Sequence, residues 1–309
     1  MPITFPTIPE GRTRRHEDFL IRPVAGVAGA AVIAAGLLTS GCSSDLTGSA
    51  ADMARPTIAA TPTVPATGYD GLMQLPLSAY GTSEQDDVLL YQANEVLITH
   101  CMKSLGHADY SSRNTTRTIT KTHEEKEAIH PAGAWGYIGT TTAERIGFHV
   151  AVPLPATEGP SGQALQDYNT CYDKADKQLP SLAGTKGWRL THDLFNRSFR
   201  QAAEDSRVGA ARDRWSACMS TAGHPTDAPE RLANGPWKTE SPTATEIAEA
   251  TADESCTRSA GLAAVYFAVL TGYQQQLVSA NAEALTGYQR QVREQIDQVA
   301  HLLALSPSP

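Results

Sequence analysis

Beyond residue 41 this 309-residue chain has no cluster of lysine and arginine, and over its whole length acids outnumber bases 33 to 25, for a formal charge of −8. Holding a phosphate backbone requires a basic patch that displaces counterions, so nucleic acid is excluded as a partner class. The sequence also lacks Gly-x-x-x-x-Gly-Lys-[Ser/Thr], Gly-x-Ser-x-Gly, His-Glu-x-x-His and Gly-x-Gly-x-x-Gly. The short signatures of phosphate-loop, nucleophile-elbow, zincin and dinucleotide chemistry are therefore missing. Cys-x-x-Cys is absent too, which removes the usual redox-active dithiol. No alternation of strand type runs for any length, and the longest uncharged apolar stretch, residues 24–38 (VAGVAGAAVIAAGLL), holds 15 residues. As a helix it would rise about 22 Å, short of the ~30 Å of a bilayer core. What remains is an ordinary globular composition, 41% apolar and 19% charged, with enough apolar material for a core.

The first 41 residues have an order of their own. Arg12, Arg14, Arg15 and Arg22 precede the apolar stretch, and small residues follow it at Thr39-Ser40-Gly41-Cys42. That is the basic, apolar, small-residue sequence of an export signal. Leu38-Thr39-Ser40-Gly41-Cys42-Ser43-Ser44 resembles the lipobox of bacterial lipoproteins, with Thr39 where leucine is commonest. The resemblance implies removal of residues 1–41 and a diacylglycerol on the sulfur of Cys42; plain secretion is the alternative. Arg14-Arg15 would suit twin-arginine export, but Phe19-Leu20 lie two residues too far on, and the export route stays open between the two systems. Taking away the four arginines and three acids of the signal leaves 21 bases against 30 acids. Residues 42–70 read as the lipidated cysteine and a Ser/Thr/Ala/Pro tether, too poor in large apolar side chains to offset the entropy of ordering.

Helical periodicity dominates the remainder, residues 71–305. Val88, Leu89, Tyr91, Val96 and Leu97 follow a Thr82-Ser83-Glu84 cap and lead to a stop at Gly106, which predicts a helix. Further helices are expected over about 140–148, 161–179, 191–206 and 208–222, with proline-marked breaks at 153–160 and 225–242. From Leu262 to Leu303 an apolar stripe through Tyr266, Val269, Tyr273, Leu277, Ala280, Ala284, Tyr288, Val292, Ile296 and Val299 advances about 3.7 residues per step, the period of a straight helix. A kink or break is expected near Gly261, Gly272 or Gly287; the stripe reads first as intramolecular core, with an apolar edge past Tyr288 for a partner or dimer as the alternative. The fold class is all-α: a disulfide-braced helical domain with a long C-terminal helix.

Four cysteines follow Cys42. Cys101-Met102-Lys103-Ser104-Leu105-Gly106-His107 and Cys218-Met219-Ser220-Thr221-Ala222-Gly223-His224 share Cys-Met-x-x-x-Gly-His, and each is followed by one more cysteine, Cys171 and Cys256. Three pairings are possible. If the parts at about 71–180 and 190–305 are copies of one another, the bonds are Cys101 to Cys171 and Cys218 to Cys256, and each glycine is the left-handed residue that ends a helix. Zinc is the rival reading, but Cys and His stand six apart without a second close pair, so no metal and no cofactor is expected.

Leu75-Pro76-Leu77, the Asn94 to Gly106 helix end, Gly136-Tyr137-Ile138, Ala143-x-Arg145-x-Gly147-Phe148-His149, Trp215-x-x-Cys218-Met219 and Ala252-Asp253-x-x-Cys256 resemble a group of uncharacterised secreted proteins and lipoproteins of actinobacteria. The resemblance covers most of residues 72–303 and implies a location and a cysteine layout, not an activity. The densest titratable run, His123-Glu124-Glu125-Lys126-Glu127 with His130, could house an acid/base pair, though a solvated loop explains it as well. Trp135, Tyr137, Phe148 and His149 could line a sugar or peptide pocket, or simply pin a loop to the helices, which is the preferred reading. The functional expectation is a non-catalytic binding or accessory module at the extracytoplasmic face of the membrane, held there by its lipid and meeting an envelope protein or wall component. A cell-wall-modifying enzyme and a transporter-associated solute-binding lipoprotein are the alternatives.

Overall fold

Helix boundaries are written in side-chain caps. Ser83 Oγ accepts from the Asp86 amide at 3.1 Å while the Asp86 carboxylate accepts from the Ser83 amide at 2.8 Å, and Thr243 and Glu246 repeat the exchange at 3.1 and 3.4 Å. Each reciprocal pair satisfies two amides that a helix start would otherwise leave orphaned. The computed structural model describes residues 53–111, 137–148, 160–233, 235–237 and 241–305. Among them the regular elements are α1 (Gly68–Met73), a 3-10 turn (Pro76–Tyr80), α2 (Glu84–Ser104), α3 (Thr140–Ile146), α4 (Gly162–Gln178), α5 (Lys186–Glu204), α6 (Ser206–Thr221), α7 (Pro229–Ala233), α8 (Ala244–Ala260), α9 (Leu262–Ala280) and α10 (Ala282–Leu305). No strand occurs among the described residues, so the chain is all-α.

The packing order differs from the chain order. α4 lies on α2, α2 on α10, α10 on α5, α5 on α9, α9 on α6, α6 on α8, and α8 on α3. α5, α9 and α10 thus form the middle, with α2–α4 on one flank and α6–α8 on the other. Because α10 packs on α2, the two related parts of the sequence share one core. The middle is tied by a buried glutamine: Gln274 accepts from the Leu77 amide at 3.0 Å and donates to Ser198 Oγ at 3.1 Å. Gln274→Leu keeps the volume but strands the Leu77 amide, and an unsatisfied buried donor costs about 1–3 kcal/mol. A fall of that size in urea-unfolding free energy is expected, with circular dichroism confirming unchanged helix content.

The apolar stripe of the C-terminal segment is present; one expected break lies at Gly261, left-handed with φ of 66° between α8 and α9, and a second falls at Asn281. Asn281 donates its amide to Val278 O and its side-chain nitrogen to Leu277 O, and accepts the Leu285 amide, ending one helix and starting the next. The register slips by one across this joint, so Ala280 and Ala284 are exposed and Leu285 turns inward. Past Tyr288 the helix does not outrun the body. It packs on α2 and α5, with Val292 and Val299 fully buried, and Arg293 meets Asp86 at 3.1 Å.

Residues 54–67, expected as a free tether, are also docked. This extended strap crosses α9, where Gly272 leaves the space that Pro56 occupies; a Cβ there would lie 2.3 Å from Pro56 Cβ. Arg207 donates to Pro56 O at 2.8 Å, Gln276 to Ala54 O at 2.8 Å, and Tyr137 to Pro65 O at 3.0 Å. Composition suggested an unstructured spacer because the strap brings little apolar surface; its backbone carbonyls supply the missing attachment.

Candidate functional site

The two Cys-Met-x-x-x-Gly-His segments fold alike. In the first, the His107 amide bonds Met102 O at 3.1 Å and the Gly106 amide bonds Lys103 O at 3.1 Å; in the second, His224 bonds Met219 O at 2.9 Å and Gly223 bonds Ser220 O at 3.2 Å. With φ of 96° at Gly106 and 88° at Gly223, both ends are Schellman motifs. The motif accounts for the shared cysteine, methionine and glycine: cysteine bridges to a helix packed alongside, methionine is buried without exposure, glycine adopts the left-handed turn. Gly223→Ala is expected to lower unfolding free energy by about 1–2 kcal/mol, the cost of left-handed backbone with a Cβ, and Gly106→Ala to match it, both read from chemical denaturation.

Each segment is bonded covalently to the helix beside it. Cys101 is joined to Cys171 of α4, and Cys218 to Cys256 of α8, both with Cα atoms 5.5 Å apart. These are the pairings that the repeat implies, and they commit the four sulfurs that a zinc site would have used. Each histidine then faces an acid on the bridged helix: His107 Nε2 lies 2.9 Å from Asp167 Oδ2, and His224 Nδ1 lies 3.9 Å from Glu249 Oε1. The His107 bond, with a second from Gln163 at 3.0 Å, holds the Asp167 carboxyl below the usual carboxylate range.

The flanks differ in what surrounds these ends. At the first, Tyr110, Tyr168 and Tyr172 form a half-buried row, with neighbouring ring centroids 6.4 and 6.5 Å apart. Burial, then the negative field of Glu95, pushes the Tyr110 and Tyr168 hydroxyls up, so they remain neutral hydrogen-bonding groups. A groove of about 370 Å³ opens here, lined by Gly106, His107, Asp109, Tyr110, Pro160 and Ala164 among others. One tyrosine ring, a histidine and the Asp109 carboxylate beside apolar Met102, Pro160 and Ala164 can hold a ligand by contact and hydrogen bonding. This groove is a candidate recognition surface because it sets His107 and Tyr110 beside the first disulfide.

At the second flank the polar groups face inward. Asp253 accepts from Trp215 Nε1 at 2.7 Å and from Thr257 at 3.5 Å; burial pushes its carboxyl up to about 8, and the neighbouring Glu254 adds to the rise. Glu254 accepts from Thr140 at 3.0 Å and from Arg258 at 2.7 Å. The Trp215 and Thr140 bonds join α8 to α6 and α3, with Asp253 and Glu254 themselves buried. In the sequence Asp253 and Trp215 stand out only as neighbours of cysteines. The signal available was an acid three residues before one cysteine and a tryptophan three before its partner, one turn inward from the bridge.

The other expected site residues divide simply. Tyr137 and Phe148 are buried, Phe148 stacking on Trp237 at 6.2 Å beside Ala233 and Ala250, so both belong to the core. Cys42, His123, Glu124, Glu125, Glu127, His130, Trp135 and His149 lie outside the described residues. Among the described residues no helix is long and apolar enough to cross a membrane, and no group of three or more His, Cys, Asp or Glu could hold a metal ion. No family model, no curated protein and no solved structure matches this chain. The two disulfides point to an oxidising, extracytoplasmic compartment, since reducing cytoplasm does not sustain bonds of this kind.

Proposed function

We propose that this protein is an exported lipoprotein, anchored through Cys42 at the extracytoplasmic face of the membrane and acting there as a non-catalytic binding module. The observation that carries the reading is the pair of long-range disulfides, one on each flank of the core. They fit a chain whose start has the order of an export signal and whose Leu38 to Ser44 segment resembles a lipobox. The groove beside His107 and Tyr110 is the recognition surface of the module. It offers aromatic edges and hydrogen-bonding groups, suited to an envelope protein or a wall component.

Cells fed an alkyne fatty acid test the anchor. The wild-type protein is expected to take up the label and to partition with membranes, and Cys42→Ser to lose both; an unlabelled wild type refutes lipidation. Photo-crosslinking from position 110 in intact cells tests the module. A discrete crosslinked envelope partner that disappears in His107→Ala is expected, and the absence of any crosslink refutes recognition at this groove.

A further inference from the structure

The strap of residues 54–67 is held at more points than a spacer needs. Asp205, at the α5–α6 junction, receives three bonds from Arg207: from its backbone amide at 2.9 Å and from its guanidinium at 2.9 and 2.7 Å. Arg207 turns its third guanidinium nitrogen, Nη1, to Pro56 O, while Arg55 of the strap reaches Ser206 Oγ at 3.0 Å and Asp205 at 3.5 Å. The Asp205 side chain is 1% exposed, and the Arg207 bonds hold its carboxyl down to about 2. The Asp205 carboxylate thus stays ionised between its two arginines, and Arg207, Gln276 and Arg55 together hold the strap on the body.

We infer that the strap decides which face of the body meets the membrane. The corner formed by the strap, the second half of α9 and the α5–α6 junction is the surface that lies against phospholipid. The inference rests on the anchor proposed at Cys42. From Cys42 to Ala54 there are 12 peptide steps, which span at most about 40 Å at full extension. An undocked strap would roughly double that reach and let any face of the body approach the bilayer. With the strap docked, the attachment point is the corner itself.

The chemistry of this corner suits a headgroup layer. Strap and α9 together carry a single charge, Arg55, in a chain whose part after residue 41 has nine more acids than bases, and the acid that meets the strap is held between two arginines. A groove of about 620 Å³ beside Pro56 is lined by Thr57, Gln275, Gln276 and Ser279, uncharged groups that exchange hydrogen bonds with lipid headgroups or water equally well. α6 starts beside the strap at Ser206 and runs 16 residues, about 24 Å, so its far end, with the second disulfide and His224, faces away from the bilayer.

Energy transfer to a headgroup dye tests this. The lipoprotein purified from cells, carrying a fluorescent amino acid at Ser279 or at Thr221, is inserted into phosphatidylcholine–phosphatidylglycerol vesicles. Transfer is expected to be at least twofold greater from position 279, and the bias is expected to fall by half or more in Gly272→Val, whose side chain displaces Pro56, or in the milder pair Arg55→Ala and Gln276→Ala. Equal transfer from the two positions, a reversed order, or a bias that survives in both strap variants overturns the inference. If fatty-acid labelling shows Cys42 bare, the anchor reading fails separately. The same chain coupled through Cys42 to a maleimide lipid then decides the role of the strap by the same bias.

Discussion

At pH 8, Asp253→Asn is expected to unfold at a higher urea concentration than the wild type, and at pH 4 the two are expected to coincide. Asp253 is fully enclosed between α6 and α8, and burial raises its carboxyl to about 8 from an ordinary value of 3.8. The folded protein therefore binds this proton more tightly than the unfolded chain does. Stability from the group is complete below about pH 4 and is lost as pH rises toward 8, at about 1.4 kcal/mol per pH unit for one fully linked proton. Asparagine keeps an oxygen for Trp215 Nε1 and a donor where the acid's proton would be, but does not ionise. The variant should thus show a flatter profile from pH 4 to 8 and a gain of several kcal/mol at the upper end. A wild-type profile that does not fall across this window, or a variant no more stable at pH 8, would mean that water reaches the carboxylate.

The second large effect is on the covalent braces. The bonds close loops of 70 and 38 residues, and chain-entropy arguments assign each about 4 kcal/mol, slightly more for the longer loop. Cys218→Ala with Cys256→Ala is expected to lower unfolding free energy by that amount. Because most domains hold only about 5–15 kcal/mol in total, removing both bonds is expected to leave the chain largely unfolded near 37 °C. Reduction of the wild type should reproduce this, with loss of the helical circular-dichroism signal. Full helix content at 37 °C after reduction of both bonds would falsify the assignment of the braces as essential. Such dependence is consistent with the compartment, since the bonds form only where thiols are oxidised.

Sequence and structure agree most where information is local. Ser83 and Asp86 mark the start of α2, and Gly106 and Gly223 mark the ends of α2 and α6, because caps and left-handed turns depend on residues within five positions of one another. The cystine pairing was legible for a related reason: a repeated heptapeptide implies repeated geometry, and the two disulfides have it. Agreement weakens where partners are distant. Asn281 interrupts the C-terminal stripe and neither Gly272 nor Gly287 does, since α9 packs chiefly on α5 and α10 has α2 to cover as well, and the chain turns where that division of work requires. Gly272 serves instead as the recess for Pro56.

The amino-acid order alone determined the class of the fold and the positions of most of its helices, and its repeat singled out one of three cysteine pairings. Each of these follows from periodicity, capping or repetition, which are properties of neighbouring residues. Only the tertiary structure decided that residues 54–67 are bound rather than free, that Asp253 sits in the interior with a raised carboxyl, that Tyr137 and Phe148 are core, and that His107, paired with Asp167, shares one groove with Tyr110. Those outcomes depend on which helix lies against which, and the burial, field and hydrogen bonds of a side chain come from residues tens to hundreds of positions away.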